Sequence, residues 1–315
     1  MTPSTEPSGS ASVLAGVDVN NNNLPTSITT TATPYTLHSN IPYTITNHHP
    51  RQVLDLYLPT STTSSPHPLV LYIHGGAFRF GDKTTPLLPR GQLSHGYALA
   101  ALNYRRSGEA IFPAMIADCK SAIRFLKSAT VSQQFNLDSS GGIIVWGDSA
   151  GGHAAAFCGT TSCDSPRGPY DIGDNLDISS SVVGVVDYYG PTDFRQMDAH
   201  LPEGWQTHNN ADSPESLYLG GQITLPEMEA KVREADPCTY VSEGCPEFFV
   251  AHGTVDRIVP EFMSELLVKK LKDNGMPVEY LPVEGADHVF EGISEEQQEV
   301  LDKRTDNFLR RVFGR

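Results

Sequence analysis

The sequence predicts an α/β fold in which helices flank one mainly parallel central sheet. Continuous apolar runs recur along the 315 residues, and they lack the polar alternation of a strand that faces water on one side, so they are typical of strands buried on both faces. Segments with helical periodicity lie between several of these runs. Strands that alternate with helices along the chain indicate a single doubly wound domain.

The first part of the chain is polar. Residues 1–35 are rich in Ser, Thr, Pro and Asn, so we expect an N-terminal arm that precedes one folded domain over residues 36–315. Residues 43–46 and 53–58 alternate polar and apolar side chains, which predicts two edge strands. The runs that predict buried strands follow at residues 69–73, 97–102, 143–146, 182–186, 248–251 and, more weakly, 278–283.

Two helices and one insertion complete the predicted domain. One helix is predicted to begin at Pro113 and another to span residues 261–271, because apolar residues recur on one face of each segment. No strand-like run occurs over residues 191–235. A connection of this length between two core strands is uncommon without a functional reason, so we expect this insertion to form a small lid beside a pocket.

Charge and composition exclude several classes of partner. Lys and Arg number 22 and Asp and Glu number 37, which gives a formal net charge of −15. Because such a surface repels phosphate groups, we expect no nucleic-acid partner and no anionic-membrane partner. No run approaches the roughly 18 apolar residues that a bilayer span needs, and no secretion signal begins the chain, so we expect a cytoplasmic protein without a membrane span.

The five cysteines are too few and too unevenly placed for a disulfide scaffold. Free thiols are the favoured interpretation, because nothing else in the sequence indicates an oxidising compartment. Small loops closed by Cys158 with Cys163, or by Cys238 with Cys245, stay open as alternatives.

One serine lies where a catalytic nucleophile is expected. The motif Gly147-Asp148-Ser149-Ala150-Gly151 directly follows the predicted strand 143–146 and directly precedes a helix of small residues. In such a strand-turn-helix the serine sits on a strained turn, and flanking glycines are needed because a Cβ would collide with neighbouring backbone. The positive end of the helix then stabilises anionic charge beside the serine. The alternative is a tight turn in which Ser149 only caps the helix.

A base and an acid follow in the order that this nucleophile requires. Asp256 lies after the predicted strand 248–251, and His288 lies after the predicted strand 278–283. Because the carboxyl ends of parallel strands meet at one edge, we expect Ser149, Asp256 and His288 to converge. Asp287 competes with Asp256, but neighbouring side chains such as those of Asp287 and His288 rarely point at each other. We interpret Asp148 as structural, with hydrogen bonds to nearby backbone.

A glycine-rich segment offers donors for an oxyanion. Residues 74–78 follow the first buried strand, and we expect the N–H groups of Gly76 and Ala77, together with that of Ala150, to bind the developing charge. Gly75 is the alternative donor. The chain has none of the common zinc, P-loop or dinucleotide motifs, so we expect no metal and no cofactor.

Several blocks together resemble one family. They are residues 55–59 (DLYLP), 74–76 and 81–83 (HGG and GDK), 103–105, 107–110 and 112–114 (NYR, SGEA and FPA) and 146–153 (WGDSAGGH). From about Val53 to Phe313 the chain resembles the α/β-hydrolase superfamily, in the branch of carboxylesterases similar to hormone-sensitive lipase, and above all the bifunctional feruloyl and acetyl esterase group. The resemblance implies an α/β-hydrolase fold, a Ser149–Asp256–His288 triad and an oxyanion site at Gly76 and Ala77. Ala77 departs from the family, because many relatives have a third glycine there.

These observations predict a serine hydrolase that cleaves short acyl or aryl esters of small molecules through an acyl-enzyme intermediate. We expect Phe78, Phe80, Trp205 and Tyr218 to line the substrate pocket. A formamidase, a lactonase or a thioesterase of a biosynthetic pathway would use the same triad and stays open. A protein of this fold that only binds a ligand is a remote alternative.

Overall fold

The computed structural model describes residues 26–28, 34–46, 48–60, 65–138, 140–162, 170–205 and 207–315. Nine strands within these ranges form one sheet. They are β1 (Thr26–Ile28), β2 (Tyr35–Pro42), β3 (Val53–Pro59), β4 (Leu69–Ile73), β5 (Ala98–Leu102), β6 (Ile143–Asp148), β7 (Gly184–Tyr188), β8 (Glu247–Gly253) and β9 (Val278–Val283).

The sheet is parallel over two thirds of its width. The strand order is β1-β2-β3-β5-β4-β6-β7-β8-β9, and the six strands from β5 to β9 in this order run parallel to one another. The first three strands are antiparallel to their neighbours and form one edge. This arrangement confirms the predicted mainly parallel central sheet.

Helices cover both faces of the sheet. They are α1 (Ala114–Lys127), α2 (Ala129–Gln134), α3 (Ala150–Thr160), α4 (Pro214–Leu219), α5 (Glu229–Ala235), α6 (Phe262–Asp273) and α7 (Glu295–Val312). Successive strand residues point to opposite faces, so Leu71 packs in the core beneath α1, α3 and α6, whereas Tyr72 packs in a second core beneath α7. Burial on both faces explains why the central strands read as continuous apolar runs.

One predicted strand is wrong. Residues 43–46 form no strand, because the chain leaves β2 at Pro42 and turns back toward β3. The N–H of Tyr43 donates to the carbonyl of Gln52 at 3.3 Å, and the hydroxyl of Thr44 contacts Gln52 Oε1 at 3.0 Å, so the segment closes a turn instead of pairing with a strand. The alternation of residues 43–46 therefore reflects a turn with one buried aromatic ring.

The predicted arm lies largely outside the described residues and stays a prediction. Residues 26–28 within it form β1, which pairs antiparallel with β2. The described residues of the insertion 191–235 contain α4, α5 and short 3-10 helices and no strand, as the sequence indicates. Cys119, Cys158, Cys238 and Cys245 are free thiols, and Cys163 lies outside the described residues. None of the helices in the described ranges has the length and apolar character needed to cross a bilayer.

Two histidines are buried next to the motifs singled out in the sequence. His153 in α3 is fully enclosed by aromatic rings, and its Nδ1 lies 2.9 Å from the carbonyl oxygen of Pro191. His74 follows β4 and stacks on the ring of Tyr104 at 4.5 Å. Burial disfavours the charged imidazolium and lowers the pKa of each ring from 6.5 to about 4.

This burial predicts a loss of stability in mild acid. Between pH 6.5 and about 4 the unfolded chain binds protons at His74 and His153 that the folded chain does not, so the free energy of unfolding falls as the pH falls. We expect each histidine to lower the free energy of unfolding by about 1 kcal/mol between about pH 7.5 and pH 5.5. Urea unfolding at both pH values measures this loss. The variant His153→Asn should show a pH dependence smaller by about that amount, and equal dependence in both proteins would contradict the prediction.

Candidate active site

Ser149 occupies a strained turn between β6 and α3. Its backbone has φ 53° and ψ −122°, a conformation that side chains other than glycine rarely adopt. The turn is held on both sides, because Ser149 N–H donates to the carbonyl of Tyr188 at 2.9 Å and His153 N–H donates to the carbonyl of Ser149 at 3.0 Å. The Ser149 side chain is thereby fixed at the carboxyl edge of the sheet.

The flanking glycines permit this turn. A Cβ on Gly147 would lie 2.0 Å from the carbonyl oxygen of Gly151, and a Cβ on Gly151 would lie 1.9 Å from the carbonyl oxygen of Ile73. Both distances are far inside van der Waals contact. Helix α3 thus packs directly on the ends of β4 and β6, as the glycines in the sequence predict.

Three distant side chains form one hydrogen-bonded chain. His288 Nε2 lies 3.1 Å from Ser149 Oγ, and His288 Nδ1 lies 2.7 Å from Asp256 Oδ2. In the neutral tautomer that fits these contacts, Nδ1–H donates to the carboxylate and Nε2 accepts from the hydroxyl. The arrangement can remove a proton from Ser149 and stabilise the imidazolium that results.

The carboxylate of Asp256 is held by backbone and by a second histidine. Its Oδ1 accepts hydrogen bonds from Ile258 N–H at 2.8 Å and Val259 N–H at 2.9 Å, and its Oδ2 lies 3.3 Å from His252 Nε2. Burial by itself would raise the pKa of Asp256, but hydrogen bonds from His252 and His288 outweigh burial and hold this pKa well below its usual range. Asp256 therefore stays ionised.

Sequence reasoning did not single out His252. The ring is completely buried, with Nδ1 at 2.6 Å from Ser264 Oγ and Nε2 at 2.8 Å from the carbonyl of Val259. Its only signal in the sequence is its position four residues before the acid, at the next-to-last residue of β8.

The rival acid, Asp287, has other partners. It accepts hydrogen bonds from Arg257 N–H at 2.9 Å, from Arg257 Nε at 2.6 Å and from His288 N–H at 2.8 Å. Asp287 thus braces the loop that carries His288, and within the described residues it makes no hydrogen bond to the imidazole.

The backbone N–H groups of Gly76, Ala77 and Ala150 lie near Ser149 in the chain or the fold, and they have no hydrogen-bond acceptor within the described residues. The alternative donor, Gly75, is occupied, because its N–H donates to Asp148 Oδ1 at 3.2 Å. Gly76 has φ 119° and Ala77 has φ 52°, so the loop turns through left-handed conformations. Ala77 adopts this conformation despite its Cβ.

Asp148 connects the serine to this loop. Its buried Oδ1 accepts hydrogen bonds from the Tyr72 hydroxyl and from Gly75 N–H, which agrees with the structural interpretation of this residue. Burial raises the pKa of Asp148 above its ordinary value. The Asp148 carboxylate therefore connects β4 and the end of β6 to residues 74–78, which we call the glycine loop.

Ser149 and His288 open into a cavity of about 480 Å³, which we call the serine cavity. Its lining consists of His74, Gly75, Gly76, Ala77, Phe80, Gly81, Thr85, Leu87, Asp148, Ser149, Ile258, His288 and Val289. Of the predicted pocket residues, Phe80 belongs to this lining and is 61% exposed. In the described residues no group of three His, Cys, Asp or Glu side chains is arranged to hold a metal ion.

Three other pocket predictions need correction. Phe78 and Tyr218 lie in the core, where their rings stack at 4.2 Å, because the left-handed backbone at Ala77 and Phe78 turns the Phe78 side chain inward. Trp205 is on the surface, 41% exposed, with the Arg257 guanidinium 4.7 Å from its ring centre. None of the three lines the serine cavity.

The insertion 191–235 contacts the loop that carries Asp256. His208 Nε2 lies 2.9 Å from the carbonyl of Ile258, and His208 Nδ1 lies 3.0 Å from Glu215 Oε2 in α4. Since Ile258 lines the serine cavity, the insertion supports one wall of it from behind.

Comparison with known proteins gives consistent matches. The sequence model of the BD-FAE family matches residues 54–271. Esterase LipC of Mycobacterium tuberculosis is 29% identical over an alignment of 250 residues, and the match covers 77% of this chain and 58% of LipC. A bifunctional GH43-CE protein of Bacteroides eggerthii superposes with a TM-score of 0.74 at 30% identity, over 88% of this chain and 35% of that one. A truncated carbohydrate esterase from gut microbiota superposes with a TM-score of 0.73 at 26% identity, over 86% of this chain and 95% of that one.

The curated relatives are longer than this chain. The chain spans between 55% and 58% of the length of three mycobacterial relatives, LipC among them.

The close packing at Ser149 predicts a large effect from one methyl group. Alanine normally stabilises a helix relative to glycine, but Gly151→Ala should lower the free energy of unfolding by about 2 kcal/mol or more, because the methyl would overlap the carbonyl of Ile73. Urea unfolding measures the change. Gly108→Ala is the matched control, since a Cβ there meets nothing within 4 Å. Equal stability of the two variants would contradict the prediction.

Proposed function

The chain belongs to the BD-FAE family and has the α/β-hydrolase fold, and from this premise we propose that it hydrolyses carboxylic esters through Ser149. The observation that carries the proposal is the continuous hydrogen-bond path from Asp256 Oδ2 through His288 to Ser149 Oγ, with contacts of 2.7 and 3.1 Å. The names of its relatives, esterase and carbohydrate esterase, support the same reaction class.

In the proposed reaction the hydroxyl oxygen of Ser149 attacks the ester carbonyl while His288 Nε2 takes the hydroxyl proton. The C–O bond to the alcohol then breaks, His288 returns the proton to the leaving oxygen, and the acyl group stays on Ser149. Water attacks this acyl-enzyme with His288 again as base, which releases the carboxylic acid and restores Ser149. Asp256 orients the imidazole and stabilises its charged form throughout.

The developing oxyanion needs preorganised donors. We assign this role to the N–H groups of Gly76, Ala77 and Ala150, which have no other acceptor within the described part of the chain. The N-terminus of α3 adds the positive end of its dipole at Ala150. The Ala77 methyl narrows the space next to this site.

The serine cavity favours small acyl groups. Its volume of about 480 Å³ is at the lower end for a ligand site, and its apolar lining comes from Ala77, Phe80, Leu87, Ile258 and Val289. Short acyl and aryl esters fit this space, whereas long alkyl chains need an extended apolar groove. A panel of p-nitrophenyl esters of increasing chain length, run beside formamide, lactone and thioester substrates, separates the proposed esterase from enzymes with the same triad and another leaving group.

The first test removes the nucleophile. Ser149→Ala should reduce kcat for p-nitrophenyl acetate by about 10³-fold or more, because the three side chains act as a unit. Circular dichroism should show an unchanged fold. A fluorophosphonate probe should label Ser149 in the wild-type chain, as seen by peptide mass spectrometry. Hydrolysis near the wild-type rate in the variant would refute the mechanism.

The second test distinguishes the two acids. Asp256→Asn should lower kcat by about 10⁴-fold, because an amide favours the wrong tautomer of His288. Asp287→Asn is the matched control, with the same chemical change on the residue next to His288. It should lower kcat by about tenfold at most, since it weakens contacts with Arg257 and with His288 N–H but leaves the imidazole its hydrogen bonds to Asp256 and Ser149. A larger loss in Asp287→Asn than in Asp256→Asn would reverse the assignment of the acid.

A further inference from the structure

A second cavity of about 440 Å³ lies next to the serine cavity. Leu87, Asp148 and Val289 line both cavities, so the two are neighbours. This second space is therefore the nearest one for a group that an ester held at Ser149 carries beyond the serine cavity. We call it the acidic aromatic cavity.

Aromatic rings form its inner wall. They come from four separate parts of the chain and are Tyr72, Trp146, Tyr188, Tyr189 and Phe290. The rings hold one another in place, because Tyr188 contacts Trp146 at 5.3 Å and Phe290 at 5.2 Å between ring centres, and Tyr189 contacts Phe290 at 4.8 Å. Aromatic rings in a cavity wall attract a cation that lies over their faces.

Carboxylates supply the charge of this cavity. Asp148, Asp302 and Asp306 belong to its lining, and no Lys or Arg does. The hydrogen-bond donors to the two outer carboxylates are neutral amides, since Gln298 donates to Asp302 at 2.8 Å and Gln92 donates to Asp306. The lining residue His95, with Nδ1 at 3.7 Å from Asp306 Oδ2, is the sole basic side chain there. The negative charge is therefore largely uncompensated.

The inner carboxylate has an unused oxygen. Asp148 is only 5% exposed, and both of its hydrogen bonds, from Tyr72 and Gly75, go to Oδ1. Its Oδ2 accepts none within the described residues, although the side chain lines both cavities. A cation in the acidic aromatic cavity would therefore lie near this carboxylate, which attracts it directly.

We propose that the acidic aromatic cavity binds a cationic group, an alkylammonium or quaternary ammonium, carried by the ester that Ser149 cleaves. The aromatic faces attract a cation through their quadrupoles, and the carboxylates of Asp148, Asp302 and Asp306 attract it directly. The net charge of −15 raises the concentration of cationic substrates near the molecule. An ester with an anionic group is excluded by the same charges.

This inference rests on the proposed esterase function and is tested with two esters of the same shape. Butyrylcholine carries a trimethylammonium group, and 3,3-dimethylbutyl butyrate carries an uncharged tert-butyl group in its place. We expect kcat/KM to favour the charged ester by about tenfold or more at low ionic strength. The preference should shrink in about 0.5 M NaCl, because the outer carboxylates are screened.

Variants of the lining residues test whether the preference for the charged ester comes from the acidic aromatic cavity. The double change Asp302→Asn with Asp306→Asn should reduce the ratio of the two kcat/KM values by about fivefold, since it removes the two outer charges. Asp273→Asn is the control, because Asp273 ends α6, pairs with Lys269 and is absent from the cavity lining. Its ratio should equal that of the wild type.

A binding measurement that needs no turnover completes the test. In the variant Ser149→Ala with Trp205→Phe, Trp146 is the sole tryptophan, so tetramethylammonium chloride should quench its fluorescence in a saturable way, and sodium chloride should not. Hydrolysis of both esters with equal kcat/KM would overturn this inference and leave the esterase function intact. Hydrolysis of neither ester, together with no hydrolysis of p-nitrophenyl acetate, would refute the esterase function. The fluorescence titration would then decide whether the cavity binds cations, and an absence of saturable quenching would show that it does not.

Discussion

The arrangement of the site depends on the close contact between α3 and the ends of β4 and β6. Glycines at 147 and 151 allow backbone to touch backbone there, so the chain turns from strand to helix within one residue and Ser149 is left at positive φ. The same contact sets the first N–H groups of α3 beside the serine hydroxyl. The strain at Ser149 persists because hydrogen bonds to Tyr188 and from His153 fix the turn on both sides.

The parallel sheet does the rest of the positioning. Ser149, Asp256 and His288 follow β6, β8 and β9, and these strands end at one edge, so residues more than 100 positions apart in the chain come within hydrogen-bond distance. Each loop is then held by its own local bonds. Backbone N–H groups of Ile258 and Val259 hold the carboxylate of Asp256, and Asp287 holds the chain at His288. The sheet thus brings the three residues to one edge, and hydrogen bonds within the loops fix the positions of their side chains.

Local sequence patterns predict the buried strands and the positions of the site residues well. Buried strands such as β4 appear as apolar runs because both faces are covered, and the three polar residues of the site stand directly after such runs. Side-chain orientations and contacts that form only in the folded chain could not be predicted from the sequence. The alternation at residues 43–46 belongs to a turn, Phe78 points inward because of a left-handed backbone that no sequence rule reveals for Ala77, and the contact of His252 with Asp256 forms only once the loop has folded. The acidic aromatic cavity likewise combines residues from distant segments.

Two hydrogen bonds to Asp148 Oδ1 limit which residues of the site can change without loss of the reaction. Because this atom joins Tyr72 to Gly75, the serine and the glycine loop form a single rigid unit before any substrate arrives. Changes within that unit disturb every reaction the site performs. New specificities are therefore expected to arise by replacement of Leu87, Ile258 and Val289, which border the cavities without holding the unit together. Directed evolution that randomises those three positions would explore substrates while the reactive core keeps its shape.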